Sequence, residues 1–199
     1  MTTGRIGLIG GTFDPPHLAH LVLASIARYE LKLDEVLFVP AGDPYRKASR
    51  PVSPSASRLR MVEEAIDGLP WASVSSIEID RGGPTFTVQT LENLQSRGRD
   101  WWFLLGTDAL ADLPHWKDPA KIMELARFGL AQRSNAAAIP EAVVEALPGI
   151  RERIDLIEMP QLGVSSTKLR QLVRDGRPTD FLLPKRVRVV IDELGLYAS

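Results

Sequence analysis

The chain has 199 residues, 44% hydrophobic and 25% charged, a balance that fits a folded globular protein and excludes the disordered and fibrous classes. A formal net charge of −1 and a pI near 6.3 argue against a nucleic-acid partner, whose footprint is a basic stripe. No apolar run approaches the roughly 20 residues of a membrane span, the first residues show no secretory signal pattern, and the lack of cysteine excludes disulfides. No membrane partner and a cytoplasmic location are therefore expected. One domain over residues 1–199, closing in C-terminal helices, is the expected organisation.

Strand-like apolar runs alternate with helical patterns along the chain. Residues 6–9 read as a buried strand, and Gly10 and Gly11 let the backbone turn close to a ligand. Pro15 and Pro16 then lead into a helix over residues 18–31. Next come a strand at 36–39, a helix at 57–66, a strand at 73–79, a helix at 88–96 and a strand at 101–105. A strand near 128–132, a helix near 141–146, a strand at 154–159 and two C-terminal helices complete the series. That rhythm predicts an α/β fold with a doubly wound, mostly parallel Rossmann-like sheet. Residues 43–57, with Pro44, Pro51 and Pro54 among basic and serine residues, are too irregular for an element and are expected to form a mobile substrate-side loop.

Two segments carry the chemistry. In GGTFDPPHLAH, His17 and His20 stand three residues apart, so on the first turn of a helix they share a face, and a helix N-terminus attracts anions. Imidazoles there suit a polyphosphate; a helix-capping histidine and a zinc pair are the alternatives. Zinc is disfavoured, because the chain has no cysteine and His115 is its one further histidine. In VSSTKLR, Ser165 or Ser166 reads as the N-cap of a helix running to Gly176. Hydroxyls of Ser165, Ser166 and Thr167 and the fork of Arg170 would suit a second phosphate cluster, although a serine-rich cap followed by Lys and Arg is also ordinary helix grammar. Both turns, with Gly106 to Asp108, are expected beyond the carboxyl ends of strands at the switch point of the sheet.

These motifs, together with VPAGDPYRK, RGGPTFTVQTL, FLLGTDALADLPHWKD and LLPKRVRVVIDELGLY, resemble the bacterial nicotinate-nucleotide adenylyltransferases, within the wider nucleotidyltransferases that carry a His-x-x-His signature. The similarity covers nearly the whole chain. It implies transfer of the adenylyl group of ATP to nicotinate mononucleotide, giving nicotinate adenine dinucleotide and pyrophosphate in NAD biosynthesis. It further implies ATP contacts from Gly10, Gly11, Thr12, Phe13, His17, His20, Gly106, Asp108, Ser165, Ser166, Thr167 and Arg170. Thr85, Phe86, Thr87 and Lys47 would hold the nicotinate nucleotide, with Trp116 stacked on its pyridine ring. His17, His20, Lys47 and Arg170 are the expected catalytic groups. No protein metal ligand is implied; Mg²⁺ would arrive on ATP. Self-association into a homo-oligomer is left open.

Two positions depart from the family pattern: Arg46 where many relatives have histidine, and Phe86 where tyrosine is common. A pantetheine-phosphate adenylyltransferase shares both end motifs, but such chains lack the Trp116 and Thr85 to Thr87 segments. A non-catalytic nucleotide sensor is the alternative from another class, and the intact His17, His20, Ser166 and Arg170 speak against it.

Overall fold

The computed structural model describes residues 4–43, 52–95, 99–132, 139–160 and 162–198. Six strands, β1 (Arg5–Gly11), β2 (Glu35–Pro40), β3 (Ala72–Val74), β4 (Asp100–Gly106), β5 (Arg127–Gln132) and β6 (Ile154–Glu158), form one sheet in the order β3-β2-β1-β4-β5-β6. β1 with β4, β4 with β5, and β5 with β6 pair in parallel, with Leu8 opposite Phe103 and Leu105 opposite Leu130. At the other side of β1, the Asp34 N–H donates to the Arg5 carbonyl and the Ala41 N–H to the Gly11 carbonyl, both at 2.8 Å. Those two bonds run β1 and β2 in the same direction. β1, β2 and β4 are buried almost throughout, which is why they read as continuous apolar runs and not as alternation. The order reverses between β1 and β4, the switch point outside which a doubly wound sheet binds its ligands.

The crossover helices are α1 (Leu18–Glu30) and α2 (Ser55–Ile66), followed by α3 (Ile77–Arg81) and α4 (Thr87–Gln95). The stretch 73–79, expected as one strand, instead divides: β3 stops at Val74 and α3 begins at Ile77. The Ile77 N–H bonds to Ser75 Oγ and the Ser76 hydroxyl to Asp80, so the serines and an acidic first turn start a helix there. After β4 come α5 (Thr107–Asp112) and α6 (Pro119–Leu125), neither of them expected. α6 opens on Asp118, whose side chain accepts from the Lys121 N–H, with Pro119 at the first helical position. α7 (Glu141–Ala146), α8 (Ser166–Arg174) and α9 (Lys185–Glu193) close the series.

The chain groups into two compact units. The first, Met1–Gly10, Leu23–Leu37 and Phe86–Gln161, has its core in Ile6, Leu8, Phe103, Leu105, Phe128 and Ile157. There Asp155 accepts from Trp102 Nε1 at 2.8 Å and from two nitrogens of Arg127 at 2.7 and 2.8 Å, and the Arg127 guanidinium holds the Asp155 carboxyl below the usual carboxylate range. The second unit is Gly11–Val22, Phe38–Thr85 and Leu162–Ser199. Its core includes Phe13, Phe38, Met61, Val62, Val187 and Ile191, with α2 packed on α9 and Arg60 paired to Glu193 at 2.6 Å. Among the described residues no helix is long and apolar enough to cross a membrane.

Candidate active site

The second unit joins the two sequence motifs. β1 ends at Gly11, and α1 begins at Leu18, so His17 is the residue before the helix and not part of its first turn. The His17 N–H donates to His20 Nδ1 at 3.1 Å, and the two rings stack with centroids 3.8 Å apart. This is a capping box built from imidazole: the third helical residue reaches back to the N-cap amide. His20 thus caps the helix, but its neighbour His17 is buried and not the solvent-exposed partner of that alternative. With Nδ1 accepting, a neutral His20 ring carries its proton on Nε2, on the side away from the helix amide. Phe13, buried and with φ of 51°, sets its ring edge on His20 at 5.0 Å. His17 is 6% exposed, and burial pulls its pKa down to about 4, only partly offset by its own backbone carbonyl. Its ring is therefore neutral at pH 7. His17 Nδ1 is buried without a hydrogen-bond partner.

At the second motif Ser165 is the N-cap of α8, its hydroxyl accepting from the Lys168 N–H at 3.3 Å. The Ser166 hydroxyl donates to the Pro15 carbonyl at 2.9 Å. Arg170 donates to the Asp14 carbonyl at 2.7 Å and to Thr167 Oγ1 at 3.4 Å. Residues about 150 positions apart in sequence are thus bonded to each other, and the N-terminus of α8 is fixed against the turn after β1. Since the Ser166 proton is engaged by Pro15, what that residue offers a phosphate oxygen is its helix-terminal N–H. A cleft of about 420 Å³ opens beside these groups, lined by Asp14, Ser53, Thr167, Arg170, Arg174 and Tyr197.

Three of the groups that hold this arrangement escaped the sequence reading. Arg58, on α2, is 1% exposed and donates from Nε to the Ser53 carbonyl at 2.9 Å, from one terminal nitrogen to the Thr12 carbonyl at 2.9 Å and from the other to the Gly42 carbonyl at 3.0 Å. Asp14, also buried, accepts from the Tyr197 hydroxyl at 2.6 Å and from the Ser53 N–H at 3.2 Å. Burial and the Asp14 carboxylate push the Tyr197 phenol up, so it stays a protonated donor. A signal for Arg58 was present: it shares the helix face of Met61, Val62 and Ala65, where a charge has to be satisfied internally. Gly42 belongs to the same cluster by close approach, since a Cβ there would stand 2.3 Å from the Glu78 carbonyl oxygen.

Thr85 lies in this unit as well. Its N–H donates to the Asp43 carbonyl and its hydroxyl oxygen accepts from the Asp43 N–H, each at 3.2 Å. The Thr85 N–H is thus engaged within the chain, and α4 begins two residues on, at Thr87. Lys47, and with it Arg46, lies outside the described residues.

In the first unit Gly10 lies near the end of β1, and Gly106 ends β4 and is the N-cap of α5, with Thr107 and Asp108 in its first turn. Trp116 is half-buried: its indole N–H donates to Asp112 Oδ2 at 3.1 Å, and its ring meets Phe103 edge-on at 5.6 Å. Phe86, before Thr87, carries the Lys117 ammonium 4.3 Å from its ring centroid.

The sequence profile of the cytidylyltransferase-like family matches residues 8–172. A chain described as a "Probable nicotinate-nucleotide adenylyltransferase" from Roseiflexus sp. (strain RS-1) is 44% identical over 198 residues, covering 99% of this chain and 100% of its own. A chain of the same description from Dehalococcoides mccartyi (strain ATCC BAA-2266 / KCTC 15142 / 195) is 38% identical, covering 99% and 98%. Among solved structures, Plasmodium falciparum nicotinic acid mononucleotide adenylyltransferase complexed with NaAD superposes with a TM-score of 0.77 at 20% identity, over 98% of this chain and 97% of its own, a likeness of fold. The chain belongs to the cytidylyltransferase-like family, in the branch of the nicotinate-nucleotide adenylyltransferases.

Proposed function

We propose that this chain transfers the adenylyl group of ATP to nicotinate mononucleotide, releasing pyrophosphate and forming nicotinate adenine dinucleotide in the cytoplasm. The observation that supports this most is the bonding of Ser166 to Pro15 and of Arg170 to Asp14, which fixes the first turn of α8 against the segment that leads into His17 and His20 and sets the Arg170 guanidinium at a cleft. Imidazole, guanidinium and helix-terminal N–H groups are donors for phosphate oxygens, whereas Mg²⁺ prefers oxygen ligands and keeps substrate phosphates among them, so Mg²⁺ is taken as part of the MgATP substrate.

The chemistry needs no protein nucleophile. The anionic 5′-phosphate oxygen of nicotinate mononucleotide attacks the α-phosphorus in line, a P–O bond forms, and the bond to the bridging α,β oxygen breaks as pyrophosphate leaves. Two anions have to meet, and fixed donors are needed where charge grows. His20, with its proton on Nε2, is assigned to the α-phosphoryl oxygens, His17 to a neutral donor role beside it, and Arg170 to the β- and γ-phosphates. Gly11, Thr12 and the first turn of α8 supply N–H groups. Lys47 is proposed to approach the phosphates, and Asp108 to border the ribose. Trp116 is assigned to the pyridine ring, with the Phe86 and Thr87 segment at its carboxylate.

The test is incubation with ATP, Mg²⁺ and either nicotinate or nicotinamide mononucleotide, with pyrophosphate measured. Pyrophosphate release at least about tenfold more efficient with the nicotinate form is expected, since an amide NH₂ meets N–H donors donor against donor. No release with either mononucleotide overturns the assignment.

A further inference from the structure

We propose that Arg58 is a positioning residue that ties the ATP-binding turn to the loop for the nicotinate nucleotide, so that one buried guanidinium aligns both substrates. The inference rests on the adenylyl-transfer reading above. Its own ground is the geometry around α2.

A trans peptide is planar, so fixing a carbonyl also fixes the N–H of the next residue, which points the opposite way. Arg58 holds the Thr12 carbonyl at 2.9 Å, and that aims the Phe13 N–H away from the guanidinium, in the turn after β1 that is assigned to the triphosphate. It also holds the Gly42 carbonyl at 3.0 Å. In that peptide the Asp43 N–H is turned to Thr85 Oγ1, and the Asp43 carbonyl accepts the Thr85 N–H in return. Thr85 is two residues before α4. A single side chain thus connects the turn after β1 with Thr85 through two peptide planes.

The planar fork is what makes this arrangement work. Three donors leave one rigid plane toward three carbonyls on separate segments, a geometry the single point charge of a lysine does not reproduce. Gly42 can stand close enough because it has no Cβ to meet the Glu78 carbonyl. Burial works against the charge on Arg58, and the neighbouring Asp14 and Glu78 carboxylates work to keep it. A structural element needing only a packed core would be served by a leucine at this position, without that opposition.

The test is Arg58→Lys, which keeps the charge and loses the fork. Folding is checked by circular dichroism, and kinetics are taken well below its unfolding midpoint. Three readouts do not depend on the folded fraction: KM for ATP, the ratio of kcat/KM for nicotinate over nicotinamide mononucleotide, and the Kd of a non-hydrolysable ATP analogue by calorimetry. We expect KM for ATP and the analogue Kd to rise at least fivefold and the nicotinate preference to fall at least threefold. A folded variant in which all three stay within twofold, losing only thermal stability, overturns the proposal. Should Arg58→Lys fail to fold, Thr85→Val cuts the same connection at its far end. It is expected to lower the nicotinate preference at least threefold, and an unchanged preference overturns the proposal equally. If the native chain releases no pyrophosphate at all, the functional reading fails by itself, while the analogue Kd still decides whether Arg58 aligns the ATP turn.

Discussion

The cluster around Asp14 and the cluster around Trp116 are held by different physics. Around Asp14 nearly every tie is a charged or hydroxyl donor meeting a fixed acceptor: Arg58 on three carbonyls, Arg170 on a fourth, Ser166 on a fifth and Tyr197 on the carboxylate itself. Around Trp116 the ties are mostly ring faces and edges, on Phe103 and between Lys117 and Phe86, with one indole hydrogen bond. Directional bonds suit groups that must stand within tenths of an ångström of developing charge, and each one broken leaves a buried acceptor unsatisfied at about 1–3 kcal/mol. Ring contacts are tolerant of angle, and their loss scales with area, about 25 cal/mol per Å². Substitutions in the first cluster should therefore act on kcat and on ATP, those in the second on the affinity of a flat ring.

The largest expected effect is His20→Ala. Removing the Nε2–H takes away a donor to the α-phosphoryl charge and should lower kcat at least about 10²-fold in a protein that still folds. The same change uncaps the His17 amide, for which about 1 kcal/mol of stability is expected to go. Steady-state kinetics beside a denaturant titration separate the two losses, and a near-normal kcat would remove His20 from the chemistry. Arg170→Ala comes next, with kcat/KM for ATP falling about 30-fold, because the guanidinium is asked both to hold phosphate and to lock the Asp14 carbonyl. Unchanged ATP kinetics with a collapsed affinity for nicotinate mononucleotide would show the motifs assigned to the wrong ligands.

The difference between the clusters also decides what could be read in advance. The parallel sheet was legible, because buried strands such as β2 and β4 are unbroken apolar runs and the intervening helices keep a 3.6 period. The phosphate motifs were legible since glycine, proline and serine have local conformational meaning. Arg58 and Tyr197 were not read, because their partners are backbone carbonyls and a carboxylate from distant segments; the apolar face that Arg58 shares in α2 marks its burial but names no partner, and nothing local in LGLY names one for Tyr197. The short helices α5 and α6 were lost for another reason: α5 follows β4 directly, Gly106 both ending the strand and capping the helix, and the start signal of α6, Asp118 before Pro119, was passed over. The stretch 73–79 failed because its apolar residues were taken as one strand, whereas the hydrogen bonds of Ser75 and Ser76 begin a helix after Val74.

Acid should probe the polar cluster more gently. His17 has a folded pKa of about 4 against 6.5 for a free imidazole, so between those values the unfolded chain binds the extra proton. The stability that comes from keeping this ring neutral is complete above pH 6.5, falls as pH falls, and stops falling below about 4. From pH 8 to pH 5.5 the expected loss is about 1.4 kcal/mol. Urea titrations at both pH values, run on the native chain and on His17→Asn, isolate it, because the other titrating groups are common to both proteins. An equal pH slope in the two would mean that His17 is not held neutral by burial.

The smallest effect is expected from the ring cluster, at Trp116→Ala. The indole is half-buried and rests on Phe103 and Asp112, so its loss removes a stacking surface without uncovering a buried charge. Aromatic stacking of this kind contributes about 0.5–1.5 kcal/mol beyond area burial, which places the rise in KM for either mononucleotide at about three- to tenfold. Both substrates present the same ring face and differ only in a carboxylate or an amide. The nicotinate preference, which we assign to N–H donors at the start of α4, should then move less than twofold. KM for ATP should stay where it was, since no ATP contact is assigned to this ring. Measuring kcat/KM for both mononucleotides in the variant decides the matter. If the preference collapses together with the affinity, discrimination resides in the aromatic cluster, and the division between a directional phosphate site and a tolerant pyridine site has to be redrawn.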